Sequence, residues 1–454
     1  MLLDSDQPTN SLPHRDTTRR DGRLVLWLML WLVPLVVFFA AVTLFATHST
    51  AIYHILNLWA VARPVDYPFL DLRYIFAGAD CWSKGVNVYL SNPCDPLGRA
   101  HAYSPLWLRF GFLRDWTPTA GLIVDGVFIL ALMALPAPRK ACELAVLLLA
   151  ILSPPVVFVL QRANVDIIIF LMLLGAAALW THVLRYRMVG YAIILAAGLL
   201  KFYPLIVLTT AVRERTRTCA AVCIAAGGVL LGFAVYFHAE LRAMAVNIPT
   251  GSYLVGDMFG AINLPDGLAL VFGLPEPGWV RILAAAMLAA LCMTGILTLS
   301  HWIPLRRAVA ELAPFDAALL LFGAALFVGC FFAGQSVGYR GVHLLLVIPG
   351  LLALWRQATD RRVRRFARAT TFLVLFLMWQ GVLTWNNSFL DALQSWIGSP
   401  AGSSLWAGLW LIRELGWWAL AAALGGIFMG FVREAQAMSW LFAGRRLRSD
   451  ADRL

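Results

Sequence analysis

The segment LVLWLMLWLVPLVVFFAAVTLFA (residues 24–46) contains no charged side chain. About 20 apolar residues in a helix are enough to cross the hydrocarbon core of a bilayer. The segment is too long for the hydrophobic part of a signal peptide, and it lacks a small-residue cleavage site. It is therefore predicted to remain in the protein as a membrane-spanning helix.

The rest of the chain has the same character. Of its 454 residues, 61% are hydrophobic and 13% are charged, and the mean hydropathy is +0.76, which excludes an ordinary soluble protein. Further crossings are predicted near residues 117–136, 141–160, 165–183, 218–238, 280–300, 315–333, 342–355, 370–386 and 405–431. Residues 189–212 are flanked by basic residues on both sides, so we expect two short segments that meet at LKFYP inside a cavity. The fold class is an all-α polytopic membrane protein of roughly 10–12 transmembrane segments.

Basic residues predict the orientation, because Lys and Arg in short loops mark the cytoplasmic side. Arg15, Arg19, Arg20 and Arg23 precede the first crossing, which places the N-terminus in the cytoplasm and residues 47–116 outside. The basic tail after residue 431 likewise places the C-terminus in the cytoplasm. We therefore expect a multi-pass protein of the plasma (inner) membrane. The net charge of +11 is scattered among loops, which argues against a nucleic-acid partner.

The chain divides into three parts at this level. Residues 1–23 are polar and are predicted to be a disordered cytoplasmic N-terminus. Residues 24–355 form the main membrane module and include the long outer loop 47–116. Residues 356–454 add C-terminal membrane segments and a basic cytoplasmic tail.

The outer loop contains the stretch VDYPFLDLRYIFAGADCWSKGVNVYLSNPCDPLGRAHAYSPL (residues 65–106), rich in carboxylates, aromatics and turn residues. Asp66 and Asp71 follow the first crossing, where a carboxylate can meet water, a lipid headgroup and a sugar hydroxyl. Cys81 and Cys94 are the only two of seven cysteines on the predicted outer side. They either form a disulfide, which we favour, or remain two free thiols.

Six motifs carry a resemblance to a known family. They are DLRYIFAGA (from Asp71), GVNVY (from Gly85), YSPL (from Tyr103), QRANVDIIIFLMLLGAAAL (from Gln161), GLLKFYPLIVL (from Gly198) and SVGYRGVHLLLVIPGLL (from Ser336). In this order they resemble glycosyltransferase family 87 of the GT-C superfamily, over roughly residues 24–355. The family usually has Tyr-Pro-Pro-Leu where this chain has Tyr103-Ser104-Pro105-Leu106, a change that affects packing more than chemistry.

The resemblance implies a GT-C-type bundle whose first extracytoplasmic loop is functional. It implies a membrane glycosyltransferase that moves mannose, or another hexose or pentose, from a polyprenyl-phosphate donor to a lipid or glycan acceptor with inversion. The family's catalytic carboxylate lies in the first outer loop, where Asp71 matches best and Asp66 is second. The alternative role for Asp71 is to cap an interfacial helix, and one residue could do both.

The donor phosphate requires cations. Arg340 and Lys201 are expected to bind it, because an unpaired cation between hydrophobic runs is costly; snorkelling to lipid headgroups is the alternative. His343, three residues after Arg340, could add a donor or be an ordinary core histidine.

Other residues are expected near the sugar. Asn164 and Asp166 either contact its hydroxyls or cap a helix, and Arg162 could pair with Asp166 at four-residue spacing. Tyr103 and Tyr203, within YSPL and LKFYP, complete the expected substrate site.

No cofactor is predicted. The sequence has no His/Cys ligand cluster, and a metal-independent mechanism is favoured; a hard divalent ion held by Asp66 and Asp71 is the alternative. The alternative function is a polytopic transporter or lipid flippase for a glycolipid or polyprenyl-linked intermediate. Internal repeats, which are expected of many transporters, are not found in the sequence.

Overall fold

In a computed structural model, residues 15–46, 69–248, 258–272, 278–381, 395 and 398–435 are described. The α-helices are α1 (Arg15–Ala46), α2 (Leu70–Ser83), α3 (Thr117–Ala131), α4 (Ala141–Ile151), α5 (Pro154–Arg162), α6 (Val165–Trp180), α7 (Leu184–Leu200), α8 (Thr216–Tyr236), α9 (His238–Asn247), α10 (Asn263–Phe272), α11 (Gly278–His301), α12 (Ile303–Ala310), α13 (Pro314–Ala333), α14 (Leu344–Gln357), α15 (Arg361–Trp379) and α16 (Ser399–Glu434). The 3₁₀ helices are Pro105–Arg109, Gly111–Trp116, Leu132–Ala134, Tyr203–Arg213 and Gly338–His343. Strands β1 (Met258–Phe259) and β2 (Ser336–Val337) pair antiparallel.

The structure confirms an all-α, polytopic membrane protein. Seven helical segments of the described chain are long and apolar enough to cross a bilayer, or eight if α4 and α5, which are bent by 43°, count as one span. The seven are Val25–Val42, Gly111–Ala134, Thr216–Tyr236, Gly278–His301, Pro314–Ala333, Gly338–Gln357 and Ser404–Glu434. Seven or eight spans in the described chain are fewer than the 10–12 predicted. The predicted crossings at 165–183 and 370–386 do not count among them, because they fall on α6, which is short, and on α15, which begins with a basic run.

Burial separates the inner helices from the outer ones. The spans Pro314–Ala333 and Gly338–Gln357 are each 72% buried, whereas Thr216–Tyr236 is 6% buried and Gly278–His301 is 11% buried. An apolar helix that is exposed on all sides is stable only in lipid. Thus α13 and α14 form the centre, and α8 and α11 have the composition and exposure of lipid-facing helices.

The chain breaks after α7 where the sequence predicts it. Helix α7 ends at Leu200, and the 3₁₀ helix Tyr203–Arg213 begins three residues later. The two elements pack so tightly that a Cβ atom on Gly198 would lie 2.2 Å from Leu205 Cδ2. A glycine at 198 is therefore needed for this close approach, and Lys201 lies at the tip.

The first loop is folded into the bundle. Most side chains of α2 are buried, so α2 is a packed helix and not an interfacial one. Trp107 is also buried, and its indole Nε1 donates a hydrogen bond to the carbonyl oxygen of Leu200 (3.1 Å), the last residue of α7. Since the last carbonyls of a helix lack intrahelical partners, this bond ties the loop to the break beside Lys201.

Cys81 and Cys94 form the disulfide that the sequence predicts. We expect peptide mapping of unreduced protein to recover these two cysteines linked and unalkylated. Cys142, which is exposed at the start of α4, should be alkylated in detergent without reductant and serves as the control. Direct alkylation of Cys81 in the unreduced native protein would contradict the pairing.

Candidate functional site

Residues from four separate parts of the chain meet in one polar cluster. Asp71 comes from the first turn of α2, and Asn164 and Asp166 come from the start of α6. Lys201 and Tyr203 come from the break after α7, and Arg340 and His343 from the 3₁₀ helix that follows β2. We call these seven residues, together with Arg162 and Tyr103, the polar cluster. It contains every predicted catalytic, phosphate-binding or substrate-binding residue except Asp66, which lies outside the described residues.

Asp71 is the more accessible of the two carboxylates in the polar cluster, with 11% of its side chain exposed against 0% for Asp166. Its Oδ2 accepts a hydrogen bond from Asn164 Nδ2 at 2.6 Å. Its Oδ1 lies 3.6 Å from Arg99 Nη1 and 3.7 Å from Arg162 Nη1. The predicted capping role is wrong, because the cap of α2 is Phe69 and no side chain bonds there.

Backbone strain occurs beside the polar cluster. Among the described residues, Phe69 (φ 58°) and Ala163 (φ 42°) are the non-glycine residues with positive φ. Phe69 lies two residues before Asp71, and Ala163 immediately precedes Asn164. Such conformations cost of order 1–3 kcal/mol and are common at functional sites. Here the turn at Ala163 ends α5 and lets α6 begin in a new direction.

That turn also changes the expected partner of Arg162. The sequence predicts an ion pair with Asp166, but Arg162 is the last residue of α5 and Asp166 belongs to α6. The four-residue spacing applies only within one helix. Arg162 therefore faces Asp71, and its guanidinium carbon lies 5.1 Å from the centre of the Phe158 ring.

Asn164 connects the two acidic residues of the polar cluster. Its Oδ1 caps α6 by accepting the backbone N–H of Asp166 (3.0 Å) and is also 3.4 Å from Lys201 Nζ. Its Nδ2 donates to Asp71 Oδ2 and lies 3.5 Å from the Tyr103 hydroxyl. Asn164 thus caps α6 and also forms hydrogen bonds within the polar cluster.

Asp166 is fully buried and anchors the inner half of the cluster. Its Oδ1 accepts hydrogen bonds from Lys201 Nζ and from the Tyr203 hydroxyl, each at 2.6 Å. The same hydroxyl oxygen lies 2.7 Å from His343 Nε2. Because an ionised carboxylate can only accept, Tyr203 donates to Asp166, and this arrangement assigns the His343 proton to Nε2. Asp166 therefore orients Lys201 and is not itself open to a substrate.

Arg340 is the least neutralised cation of the cluster. Its guanidinium carbon lies 4.8 Å from the centre of the Tyr203 ring, and its Nε is buried without a hydrogen-bond partner. Within the described part of the chain, no carboxylate oxygen lies within 4.0 Å of it. A guanidinium with a buried, unsatisfied N–H and no carboxylate partner is most readily satisfied by an anionic ligand.

Aromatic rings enclose Lys201. Its Nζ lies 5.5 Å from the ring centres of Tyr103 and Tyr339 and 5.8 Å from that of Tyr203. Rings at this distance attract a cation and exclude water from it. Tyr339 was not predicted as a site residue, although it belongs to the motif SVGYRGVH.

Arg99 is the other site residue that the sequence analysis missed. It approaches Asp71, forms two hydrogen bonds with the Asp95 carboxylate at 2.9 and 3.0 Å, and packs on the Tyr74 ring at 4.4 Å. Burial by itself would lower the pKa of Arg99. The hydrogen bond from Arg99 to Asp95 and the negative charge of Asp95 outweigh burial, so the pKa of Arg99 is raised. An arginine in a loop predicted to be outside, where basic residues are rare, was the signal that could have identified it.

The site carries an excess of positive charge. Arg99, Arg162, Lys201 and Arg340 face Asp71, Asp95 and Asp166, which leaves one cation more than there are carboxylates. Exposure decreases inwards, from 34% of the Arg99 side chain to 11% of Asp71 and 0% of Asp166. An anionic ligand would therefore enter past Arg99 and Asp71. The described residues contain no group of three or more His, Cys, Asp or Glu suited to a metal ion.

His101 lies beside this entrance, packed among the rings of Tyr74, Tyr89 and Tyr103. Burial lowers its pKa from 6.5 to about 4. The unfolded chain then binds a proton below pH 6.5 that the folded loop does not, so stability should be full above pH 6.5 and fall as the pH drops towards 4. Between pH 7.5 and pH 5, the melting temperature of His101→Phe should fall by less than that of the native protein. Equal losses in both proteins would contradict a neutral, buried His101.

The fold and the site together define a polytopic helical membrane protein with a buried polar cluster near one end of the bundle. No protein-family model, curated protein or solved structure matches the chain.

Proposed function

We propose that this protein is a membrane glycosyltransferase that takes a sugar from a polyprenyl-phosphate donor and passes it to a lipid or glycan acceptor. The observation that carries the proposal is the bridge made by Asn164. Its amide contacts the partly accessible carboxylate of Asp71 at one end and the ammonium of Lys201 at the other. A base and a phosphate-binding cation are thus held on opposite sides of one rigid side chain.

The proposed transfer requires both a base and a cation that binds the phosphate. Asp71 takes the proton of the acceptor hydroxyl while that oxygen attacks the anomeric carbon. The bond between the anomeric carbon and the phosphate oxygen breaks, and its electron pair stays on the lipid phosphate. Lys201 and Arg340 stabilise that phosphate, and Asp166 with Tyr203 keeps Lys201 in place. No nucleotide or metal is needed for this balance.

The motifs that resemble glycosyltransferase family 87 support the same proposal. Five of the six contribute side chains to the polar cluster: Asp71, Tyr103, the run from Arg162 to Asp166, Lys201 with Tyr203, and Arg340 with His343. They are separated by long stretches of chain, and yet they converge in the structure.

One observation favours a transporter or flippase as the second candidate. Asp166 and Lys201 form a buried ion pair inside a helical bundle, and such pairs are common along transport pathways. The carboxylate of Asp71, which keeps 11% of its side chain accessible, favours the transferase, because a transport pathway does not need a base there.

The deciding experiment uses purified protein in lipid nanodiscs. Polyprenyl-phosphate donors carrying labelled mannose or pentose are supplied with a membrane extract as acceptor source, and release of polyprenyl phosphate is measured. We expect the native protein to release polyprenyl phosphate and the Asp71→Asn variant to release almost none. Transbilayer movement of the intact donor in proteoliposomes, without release, would instead assign the protein to the flippases.

We also propose that the polar cluster faces the extracytoplasmic side, because basic residues are concentrated in the other loops. Reporter fusions after Arg99 should report an extracytoplasmic position and those after Arg365 a cytoplasmic one. The reverse result at either position would contradict the orientation.

A further inference from the structure

A cavity of about 520 Å³ lies among helix ends away from the polar cluster. Its walls come from the ends of α6, of the 3₁₀ helix Tyr203–Arg213 and of α16, from α12, and from the start of α13. Its size falls within the roughly 300–1,000 Å³ of typical small-molecule sites. None of its lining residues belongs to the polar cluster.

The cavity and the polar cluster are at opposite ends of shared elements. Asp166 is in the first turn of α6 and Trp180 ends the helix, which separates them by about 20 Å at 1.5 Å per residue. Tyr203 and Arg213 begin and end one 3₁₀ helix, again about 20 Å apart. The cavity is therefore a separate site, near the other membrane surface.

Arg213 provides the first fixed cation of the cavity. Its guanidinium carbon lies 3.6 Å from the centre of the Trp180 ring, and its Nη1 donates to the Trp180 carbonyl oxygen at 3.0 Å. No carboxylate oxygen in the described part of the chain lies within 4.0 Å of it. A stacked guanidinium is held in one orientation, and its other N–H groups stay free to bind an anion.

Arg306 provides the second cation. It forms an ion pair with Glu434, while its Nε is buried without a partner. Gly430 makes room for its stem, since a Cβ there would lie 3.1 Å from Arg306 Cγ. Two arginines and one glutamate leave one positive charge in excess at the cavity.

The remaining walls are apolar. Leu305, Val309, Leu312, Leu321, Ile427 and Phe431 line the cavity beside the two arginines. Cations next to an apolar wall in a cavity at the ends of these helices match an amphiphile that has a phosphate head and a hydrocarbon tail. Basic pockets between transmembrane helices are known to select anionic lipid headgroups.

The geometry points to a binding site for an anionic phospholipid at this cavity. Arg213 and Arg306 hold the headgroup phosphate, and part of an acyl chain lies against the apolar wall. The inference does not depend on the proposed transferase activity, because no residue is shared with the polar cluster.

The test uses delipidated full-length protein in detergent, with thermal stability and native mass spectrometry as readouts. Phosphatidylglycerol is compared with phosphatidylcholine of the same acyl chains and with glycerol 3-phosphate. We expect phosphatidylglycerol alone to raise the melting temperature and to remain bound. Replacing Arg213 with Gln should weaken that binding roughly tenfold, as for loss of one charge-assisted contact.

Two further variants keep the result interpretable. Ala317→Phe should fill the apolar part and weaken binding although both arginines remain, with an unchanged melting temperature when no lipid is added. Arg217→Gln removes an exposed cation at the same end, four residues after Arg213, and should bind as the native protein does. Equal stabilisation by phosphatidylcholine or by glycerol 3-phosphate, or an equal loss in Arg217→Gln, would overturn the site.

Discussion

Replacement of Asp71 by Asn is expected to lower sugar transfer by about 100-fold or more, which is the usual effect of losing a general base. The amide is almost the same size as the carboxylate, and its oxygen can still accept the hydrogen bond from Asn164 Nδ2. Donor binding should therefore survive, because Lys201 and Arg340 are untouched. The measurement is the single-turnover rate of polyprenyl-phosphate release, with donor affinity determined separately.

The matched control is Asp80→Asn. Asp80 lies on the same helix, near its other end, and pairs with Lys84 and Arg114 at the surface. Asp80→Asn removes the same charge from α2 as Asp71→Asn does, but outside the polar cluster. Sugar transfer should stay within about twofold of the native rate, since an exposed ion pair of this kind contributes little. If Asp66→Asn abolishes transfer and Asp71→Asn does not, the base is Asp66. If neither has an effect in folded protein, the proposed mechanism is wrong.

Replacement of Arg340 by Ala is expected to weaken donor binding by about 10- to 100-fold, which corresponds to the loss of one charged hydrogen-bonding group. Turnover should fall as well, because the same guanidinium would face the phosphate as its charge develops. Arg340→Lys retains the positive charge but lacks the planar guanidinium. Its donor affinity should therefore lie between that of the native protein and that of Arg340→Ala. Binding is measured as quenching of a fluorescent polyprenyl phosphate.

Arg242 is the control for this series, because it is exposed on α9 and makes no ion pair in the described part of the chain. Arg242→Ala should bind the donor like the native protein. Native-like binding by Arg340→Ala would show that Arg340 does not hold the phosphate, whatever happens to Asp71. The two experiments therefore separate the base from the phosphate site.

Several features follow from short-range patterns and were predictable. Long apolar runs predict membrane helices because a backbone in lipid must satisfy its own hydrogen bonds. The break at LKFYP was predicted from charge. Basic residues flank residues 189–212 on both sides, and a single crossing would place them on opposite sides of the membrane. Cys81 and Cys94 were paired by elimination, since no other cysteine lies in the same predicted compartment.

The predicted site residues have a different basis. The motifs named Asp71, Asn164, Asp166, Lys201, Tyr203, Arg340 and His343 as separate positions. Their contacts join residues 93 apart, as for Asp71 and Asn164, and 140 apart, as for Tyr203 and His343. Periodicity reports only neighbours within a few residues, so which of them touch could not be read from the chain.

Three details were decided by the tertiary structure alone. Arg162 turns to Asp71 because Ala163 adopts a left-handed conformation between two helices, and helical spacing does not reveal that turn. Arg99 reaches Asp71 because Asp95 and Tyr74 hold its side chain. Trp107 is buried against the end of α7, where it bonds the carbonyl oxygen of Leu200. The sequence by itself determined that the chain is a helical membrane protein with a long polar loop after its first apolar segment, because hydropathy is a property of each segment. Which charges face each other depends on how the segments pack.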